Sequence, residues 1–259
     1  MLRKESNCII VGNKVYLYTD DDNEELGLKK IGSGTEADVY VYNSDMLIKI
    51  YKKELLEENP EIYNEDRILE IADKKRCIKK SKLTYGPVFI NGDFRGCALY
   101  YHKYAPSFNF IGFLPYNNYK FNRINDVLDE LDEFAKNNIY YVDLTPNNIL
   151  VPKLQKSALI DADGKSIKIS PVDKEYCSKE MYGDFFDLML EIVFGMHYKE
   201  IEEYKDNDEF DVLIDSIFDE YHMSKEFREE FKNELFSYET LKDFALYLKQ
   251  DKILKRDFR

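Results

Sequence analysis

The 259-residue chain has no tryptophan, only four cysteines and only three histidines. The cysteines are scattered and form no CxxC pair, which argues against a disulfide framework or a zinc site and is typical of reduced thiols in a cytoplasmic protein. The histidines show no metal-ligand spacing, and we expect them to be structural. These residues are Cys8, Cys77, Cys97, Cys177, His102, His197 and His222.

Long hydrophobic runs are also missing. No apolar stretch approaches the roughly 20 residues that a membrane helix needs. The first residues, MLRKESNCIIVGNK, contain too short an apolar run for a signal peptide. Internal repeats and low-complexity linkers are absent as well. We therefore expect a cytoplasmic protein that has no membrane partner.

Basic residues are in deficit, with 37 Lys and Arg against 50 Asp and Glu and a formal net charge of −13. Nucleic-acid-binding domains usually carry a basic face, whereas this chain has only short basic stretches such as residues 74–82. The charge therefore argues against DNA or RNA as a partner. It permits a basic protein substrate, although solubility alone explains the same acidic balance.

The first hundred residues or so carry a strand pattern. Residues 8–19 alternate and turn at Gly12, which predicts a hairpin. Three short strands follow from Leu28, and a further pair is expected around Gly92. One helix interrupts the strands and is predicted to begin at Asn59-Pro60 and to end near Lys80.

The rest of the chain carries mostly a helical pattern, because its apolar residues recur on one helix face. We predict an α+β protein with two lobes around a cleft. The sheet-rich lobe is expected over residues 1–104 and the helical lobe over residues 105–259. The later helices are predicted at about 122–138, 183–195, 208–222, 225–236 and 238–250, with Ser224 and Ser237 as N-caps of the last two.

A glycine-rich turn lies between the first two of the three strands that follow Leu28. It contains Gly32, Ser33 and Gly34 in the run IGSGTEADVY. Glycine lets the backbone approach phosphate groups closely. An ordinary hairpin turn would explain this run on its own, and the spacing differs from that of a Walker-type loop.

Lys49 lies inside the apolar strand LIKIY. A solvent-facing lysine is one explanation. A lysine beneath a phosphate-binding turn could instead hold the phosphates of a nucleotide, and it would then need a carboxylate to fix its position. Glu65, early in the predicted long helix, is the best candidate for that carboxylate, and Glu70 is the competing one.

The strongest signal is the run YYVDLTPNNILV, which places Asp143 five residues before Asn148. Eighteen residues after Asp143, the segment LIDAD ends an apolar run at Asp161. Phosphoryl transfer needs a carboxylate near the attacking hydroxyl and oxygen ligands for Mg²⁺. Asp143 suits the first role, and Asn148 and Asp161 suit the second. A capped turn would explain one segment alone but not the two together, and we interpret Asp163 as a polar turn residue.

Together these residues resemble the eukaryotic-like protein kinase superfamily, in a divergent and compact bacterial form, over roughly residues 28–195. The resemblance implies a two-lobed kinase fold that binds ATP with Mg²⁺ or Mn²⁺ and transfers the γ-phosphate to a hydroxyl. It implies that Asp143 is the catalytic base, that Asn148 and Asp161 bind the metal, and that Asp184 braces the catalytic loop. It also implies that the nucleotide is bound by Gly32, Ser33, Gly34, Val39 and Lys49, and that Glu65 holds Lys49 in position.

The chain departs from the family pattern in its glycine-rich turn, where Ala37 replaces the third glycine, in its missing Ala-Pro-Glu, and in the two loops. Tyr141-Val142 replaces the usual His-Arg, Thr145 replaces the loop lysine, and Ala162-Asp163 replaces Phe-Gly. The loss of the arginine argues against control by activation-loop phosphorylation, and the short segment after Asp161 argues for a reduced peptide-docking platform. The expected function is a serine/threonine protein kinase acting on a protein substrate. The alternatives are a small-molecule kinase of the aminoglycoside or choline type, an ATP-binding pseudokinase, and a structural role without nucleotide.

Overall fold

The computed structural model describes residues 7–19, 27–74, 83–101, 105–112, 118–152, 157–169, 173–220, 223–233 and 237–250. The described strands are β1 (Asn7–Val11), β2 (Lys14–Tyr18), β3 (Lys29–Ser33), β4 (Ala37–Val41), β5 (Met46–Tyr51), β6 (Gly86–Ile90), β7 (Asp93–Tyr100), β8 (Ile139–Tyr141), β9 (Ile149–Leu150), β10 (Ala158–Leu159) and β11 (Ile167–Ile169). The described helices are α1 (Lys53–Glu58), α2 (Glu65–Lys74), α3 (Asn109–Gly112), α4 (Asn118–Lys136), α5 (Lys174–Phe194), α6 (Tyr198–Asp206), α7 (Phe210–Glu220), α8 (Lys225–Asn233) and α9 (Tyr238–Gln250).

The first seven strands form one sheet in the order β1-β2-β6-β7-β5-β4-β3. All neighbours are antiparallel except β2 and β6, which are parallel. The β1–β2 hairpin turns at Gly12, which has a φ of 61°. The β6–β7 hairpin turns at Asn91 and Gly92, with φ of 53° and 98°, as the common two-residue hairpin turns require. The predicted hairpins and the three strands after Leu28 are confirmed.

The two faces of the sheet pack against different sets of residues, because side chains alternate along each strand. On β5, Met46 and Ile48 lie on one face, and Lys49 and Tyr51 lie on the other. The Ile48 face is a purely apolar core of Val15, Leu17, Met46, Ile48, Val88, Ile90 and Ala98. The Tyr51 face packs with Ala37, Tyr63, Ile68 and Cys97, so that it also receives Ile68 from α2.

Helix α2 begins at Glu65, and the predicted start at Asn59 is wrong. Asn59 instead ends α1, where its N–H donates to the carbonyl of Leu55. The helix-initiating residue is Asn64, whose Oδ1 accepts from the N–H of Arg67 at 2.8 Å. Asparagine favours both helix ends and turns, so the sequence alone could not separate the two positions. The predicted end near Lys80 lies outside the described residues.

Helix α5 is longer than predicted. It begins at Lys174, where Asp173 accepts from the N–H of Tyr176, and it ends at Gly195 with a φ of 71°. Because a left-handed residue at this position is the usual C-terminal cap, the end at Gly195 was predictable. The early start was not, because a polar turn of helix precedes the apolar run.

The helices after Gly195 are anchored by aromatic rings. Phe186 of α5 lies 5.4 Å from Phe231 of α8 and 5.6 Å from Phe244 of α9, measured between ring centroids. Phe218 of α7 lies 5.2 Å from Phe231. These helices therefore complete the helical core around α5. The predicted N-caps are confirmed, since Ser224 accepts from the N–H of Phe227 and Ser237 from that of Thr240.

The described chain is α+β, with strands concentrated in its N-terminal part and helices in its C-terminal part, as predicted. It divides into two compact units, Met1–Ala105 with Leu159–Ile169, and Pro106–Ala158 with Ser170–Arg259. The segment that contains Asp161, which the predicted boundary placed in the helical lobe, thus groups with the sheet-rich unit. Among the helices of the described ranges, none has the length and apolar character to cross a membrane.

Candidate functional site

Four residues form a row across the sheet of the first unit. Gly32 on β3 lies opposite Val39 on β4, Val39 lies opposite Lys49 on β5, and Lys49 lies opposite Cys97 on β7. Directly opposite residues point to the same face of a sheet. The structure therefore brings Gly32, Val39 and Lys49 to one face, although they lie on three separate strands.

The glycine-rich turn is held in place by Asp38. The N–H of Gly34 donates to the carbonyl of Ala37 at 2.9 Å, and the hydroxyl of Ser33 donates to Asp38 at 2.6 Å. Asp38 also forms ion pairs with Lys52 at 2.8 Å and with Lys30 at 2.9 Å. The hydrogen bonds from Lys52 and Ser33 hold the pKa of Asp38 well below its usual range. The turn is thus fixed by a charged group rather than by apolar packing.

Lys49 is the centre of a group of polar side chains that are buried except for the half-buried Asp161, and we name this group the Lys49 cluster: Lys49, Tyr51, Cys97, Asp161 and Asp163. Lys49 is only 6% exposed, and its ammonium group donates to Asp161 and, at 3.0 Å, to Asp163. Burial by itself would lower the pKa of Lys49, but the charges of Asp163 and Asp161 outweigh it and raise the pKa. The lysine is therefore charged and paired inside the protein, and it does not face solvent from the strand surface.

Asp161 combines an unusual backbone with a partly open side chain. Its φ of 61° lies in the left-handed region, which is uncommon for residues other than glycine and clusters at functional sites. Burial and the neighbouring charge of Asp163 raise the pKa of Asp161 to about 6. Its side chain remains 32% exposed. A carboxylate paired with a lysine on one side and open on the other can accept a cation.

Glu65 does not occupy its predicted place beside Lys49. Its carboxylate instead pairs with Lys14 of β2, and no ion pair joins it to Lys49 in the described part of the chain. The physical reason is the start of α2: Glu65 is the first residue of the helix, and the two LIDAD aspartates already neutralise Lys49. The prediction that Glu65 fixes Lys49 is therefore replaced by fixation through Asp161 and Asp163.

Asp163 was interpreted from the sequence as a polar turn residue, and this interpretation is wrong. It is 2% exposed and accepts hydrogen bonds from Lys49, Tyr51 and Cys97. Burial would raise the pKa of Asp163, but Lys49 and the Tyr51 hydroxyl lower it. The sequence did contain one signal of a polar group on this face of the sheet. Tyr51 lies two residues after Lys49, so both side chains point to the same face of β5.

The chain that follows Asp163 is tied to the first unit by two basic residues. Arg67 of α2 donates to the carbonyls of Gly164 and Ile167, and Lys165 pairs with Glu36 of the glycine-rich turn at 2.5 Å. Gly164 has a φ of 51°, and a Cβ there would lie 2.7 Å from the ring of Tyr63. The position therefore needs glycine, and this close approach keeps the LIDAD segment against the sheet-rich unit.

The second unit holds the loop from Asp143 to Asn148, which we name the Asp143 loop. The side-chain amide of Asn148 donates to the Asp143 backbone carbonyl at 2.9 Å and to its carboxylate at 3.0 Å. The N–H of Thr145 donates to the Asp143 carbonyl at 3.0 Å. Because the Asn148 nitrogen faces Asp143, its Oδ1 is the atom left to bind a cation. The structure therefore brings Asp143 and Asn148 together.

The Asp143 loop is fixed by the chain that begins at Pro106. The N–H of Val151 donates to the carbonyl of Pro106 at 2.8 Å, and the N–H of Phe108 donates to the carbonyls of Ile149 at 2.8 Å and Pro146 at 3.0 Å. Phe108 is itself buried. These backbone hydrogen bonds tie both ends of the segment that follows Asp143 to the chain around Phe108.

Asp184 of α5 does not brace the Asp143 loop in the predicted way. Among the described residues it makes no hydrogen bond or ion pair with the loop. Its carboxyl group is partly buried, and burial together with the charge of Asp187 raises its pKa to about 6, with a smaller contribution from Asp143. Asp187 itself pairs with Lys205 of α6. The predicted brace is therefore replaced by a partly buried carboxyl group whose pKa is raised mainly by its burial and by Asp187.

We expect Asp184→Asn to stabilise the protein above pH 6. The pKa of Asp184 is about 6 in the folded protein against 3.8 for an ordinary aspartate, so folding favours the protonated form. Its ionisation therefore costs nothing below about pH 4, and the cost grows as the pH rises to 6. With allowance for partial exposure, the gain in the variant is about 1–2 kcal/mol. Urea denaturation at pH 4, 5, 6 and 7 measures it, and a constant difference across that range would contradict the assignment.

Each unit contains one of the predicted magnesium ligands, and each ligand carries oxygen atoms of the kind that Mg²⁺ prefers. Mg²⁺ prefers oxygen ligands and is commonly held by one or two protein groups together with substrate phosphates. Asn148 offers an amide oxygen and Asp161 a partly exposed carboxylate. The described residues contain no cluster of three or more His, Cys, Asp or Glu that could hold a metal ion.

A scan against models of known protein families gives no match, and a search of curated proteins finds no similar sequence. The case for function therefore depends on the chemistry of the Lys49 cluster and the Asp143 loop.

Proposed function

We propose that the protein is an ATP-dependent phosphotransferase of the protein-kinase type, with a two-lobed kinase-like fold, that transfers the γ-phosphate to a serine or threonine hydroxyl of a protein. The observation that carries this proposal is the pairing of the buried Lys49 with the half-buried Asp161, residues 112 positions apart in the chain. A buried lysine beside a partly exposed carboxylate is what phosphate and metal binding would require. The row of Gly32 and Val39 beside Lys49 supports the same conclusion.

The chemistry assigned to each residue follows from its surroundings. Lys49 would bind the nucleotide phosphates, and the backbone of Gly32 to Gly34 would cover them. Asn148 and Asp161 would hold Mg²⁺, which neutralises phosphate charge when bound. Asp143, oriented by Asn148, would align the acceptor hydroxyl and accept its proton. Positioned proton transfer of this kind contributes typically ~10²–10⁴-fold in rate.

Binding of ATP with Mg²⁺ should raise the unfolding temperature of the protein. At 100 times the dissociation constant, a ligand that binds only the folded state stabilises it by about 2.7 kcal/mol. Asp161→Asn should weaken the binding of Mg-ATP more than that of ATP in EDTA, because it removes a metal ligand. Calorimetric titration measures both affinities. Asp45→Asn, in an exposed turn, is the matched control and should bind as the wild type does. A wild type that binds neither form would overturn the proposal.

A second candidate is a kinase for a small cationic metabolite. The observation that favours it is the carboxyl group of Asp184 on α5, whose pKa is raised by burial and by Asp187, with a smaller contribution from Asp143. A carboxylate at this position could bind an amino group of an acceptor. Phosphorylation of an aminoglycoside or choline panel without any labelling of protein would select this candidate.

A further inference from the structure

Asp163 is the most deeply buried carboxylate of the Lys49 cluster and has three donors. Its Oδ1 accepts from Lys49 at 3.0 Å, and its Oδ2 accepts from the Tyr51 hydroxyl and, at 3.3 Å, from the Cys97 thiol. A buried carboxylate is tolerated only when it is paired and hydrogen-bonded. These three contacts meet that condition, because both oxygens of the Asp163 carboxylate accept hydrogen bonds.

All three donors come from the two central strands of the sheet. Lys49 and Tyr51 share one face of β5, and Cys97 lies directly opposite Lys49 on β7. The strands approach closely at Gly96, where a Cβ would lie 1.9 Å from the carbonyl oxygen of Lys49. The donors are thus set by strand pairing and do not depend on a loop or a helix.

The two aspartates that contact Lys49 differ in the solvent exposure of their side chains. The side chain of Asp161 is 32% exposed, whereas that of Asp163 is 1% exposed. An exposed carboxylate can turn to a metal ion, but a carboxylate enclosed by Lys49, Tyr51 and Cys97 cannot. Asp163 therefore suits a positioning role, and Asp161 suits ligand binding.

We propose that Asp163, fixed by Tyr51 and Cys97, is the residue that positions Lys49 for the phosphates of the nucleotide, and that Glu65 is not. The statement that Lys49 binds phosphates rests on the proposed phosphotransferase function. The statement that Asp163 positions Lys49 rests only on the contacts between them. Asp163 and its three donors belong to the sheet and to the segment packed on it, so the hold on Lys49 does not use the side chain of Glu65.

The test compares Asp163→Asn with Glu65→Gln, each of which removes one charge and keeps the side-chain shape. Asp163→Asn should lower kcat/KM for ATP by ~10–100-fold, because small displacements of a positioning group cost up to about 10²-fold. Glu65→Gln should have a much smaller effect. Tyr51→Phe, which removes only the hydroxyl that donates to Asp163, should act in the same direction as Asp163→Asn. Tyr18→Phe, on an exposed tyrosine, is its control.

A second readout does not depend on catalysis. The rate at which acetic anhydride acylates Lys49, measured by peptide mass spectrometry, should rise several-fold in Asp163→Asn and Tyr51→Phe, because the amine is released from its buried partner. It should not rise in Glu65→Gln. Equal acylation rates in the wild type and Asp163→Asn, or a larger loss of kcat/KM in Glu65→Gln, would overturn the inference. A wild type without phosphate transfer, but with the expected acylation pattern, would reject the proposed function and retain the hold of Asp163 on Lys49.

Discussion

Replacing Lys49 with methionine should lower the free energy of unfolding by about 3–5 kcal/mol, the usual cost of removing one partner from a buried ion pair. The reason is that Asp163 would stay buried without its cation, while Asp161 would lose the same partner. Methionine fills a similar volume, so the loss is electrostatic and not a cavity effect. Urea denaturation at pH 7 measures the change.

The control for this experiment is Lys199→Met, at an exposed position of α6, which should change the stability by no more than about 0.5 kcal/mol. The double variant Lys49→Met with Asp163→Asn should recover part of the loss, because it removes the unpaired buried charge and the two sites are in contact. A cost below about 1 kcal/mol for Lys49→Met, with no coupling to Asp163, would show that the cluster is not a buried ion pair.

Asp143→Asn should abolish most phosphate transfer and leave the affinity for ATP nearly unchanged. The variant keeps the shape of the side chain but removes the carboxylate that would accept the proton of the acceptor hydroxyl. The expected fall in kcat is ~10²–10⁴-fold. The backbone carbonyl of residue 143 can still accept from Asn148, as it does at 2.9 Å in the wild type, so the loop should keep its conformation.

The matched control is Asp211→Asn at an exposed position of α7, which removes the same charge from the same unit and should transfer phosphate as the wild type does. Single-turnover kinetics with labelled ATP separate the chemical step from product release. Equal rates in Asp143→Asn and Asp211→Asn would remove Asp143 from the mechanism, and a parallel loss of ATP binding would point to a structural role.

The hairpins of the sheet could be predicted because residues that favour turns lie between their strands. Gly12 and the pair Asn91-Gly92 sit where backbones with positive φ are needed, and few other residues adopt them. The N-caps at Ser224 and Ser237 could also be predicted, because a serine just before an amphipathic helix commonly serves as its N-cap. The start of α2 was not, because Asn59 and Asn64 offer the same local chemistry.

The candidate site could be predicted only in part, because long-range contacts decide it. Asp143 and Asn148 are close in sequence, and their pairing follows from local geometry. The fixation of Lys49 does not, since its partners lie more than a hundred residues away. Glu65 was chosen because it lies early in the predicted long helix, whereas the partners that the structure shows, Asp161 and Asp163, lie on a distant segment.

The most direct test of the account is the transfer of labelled γ-phosphate from ATP by the purified wild-type protein. The reaction should proceed with Mg²⁺ or Mn²⁺, stop in EDTA, and label serine or threonine in the protein itself or in an added basic protein. Asp143→Asn should reduce that label by at least ~10²-fold. A wild type that labels neither protein nor any metabolite in a panel, or that labels no more than Asp143→Asn does, would contradict the proposed phosphotransferase.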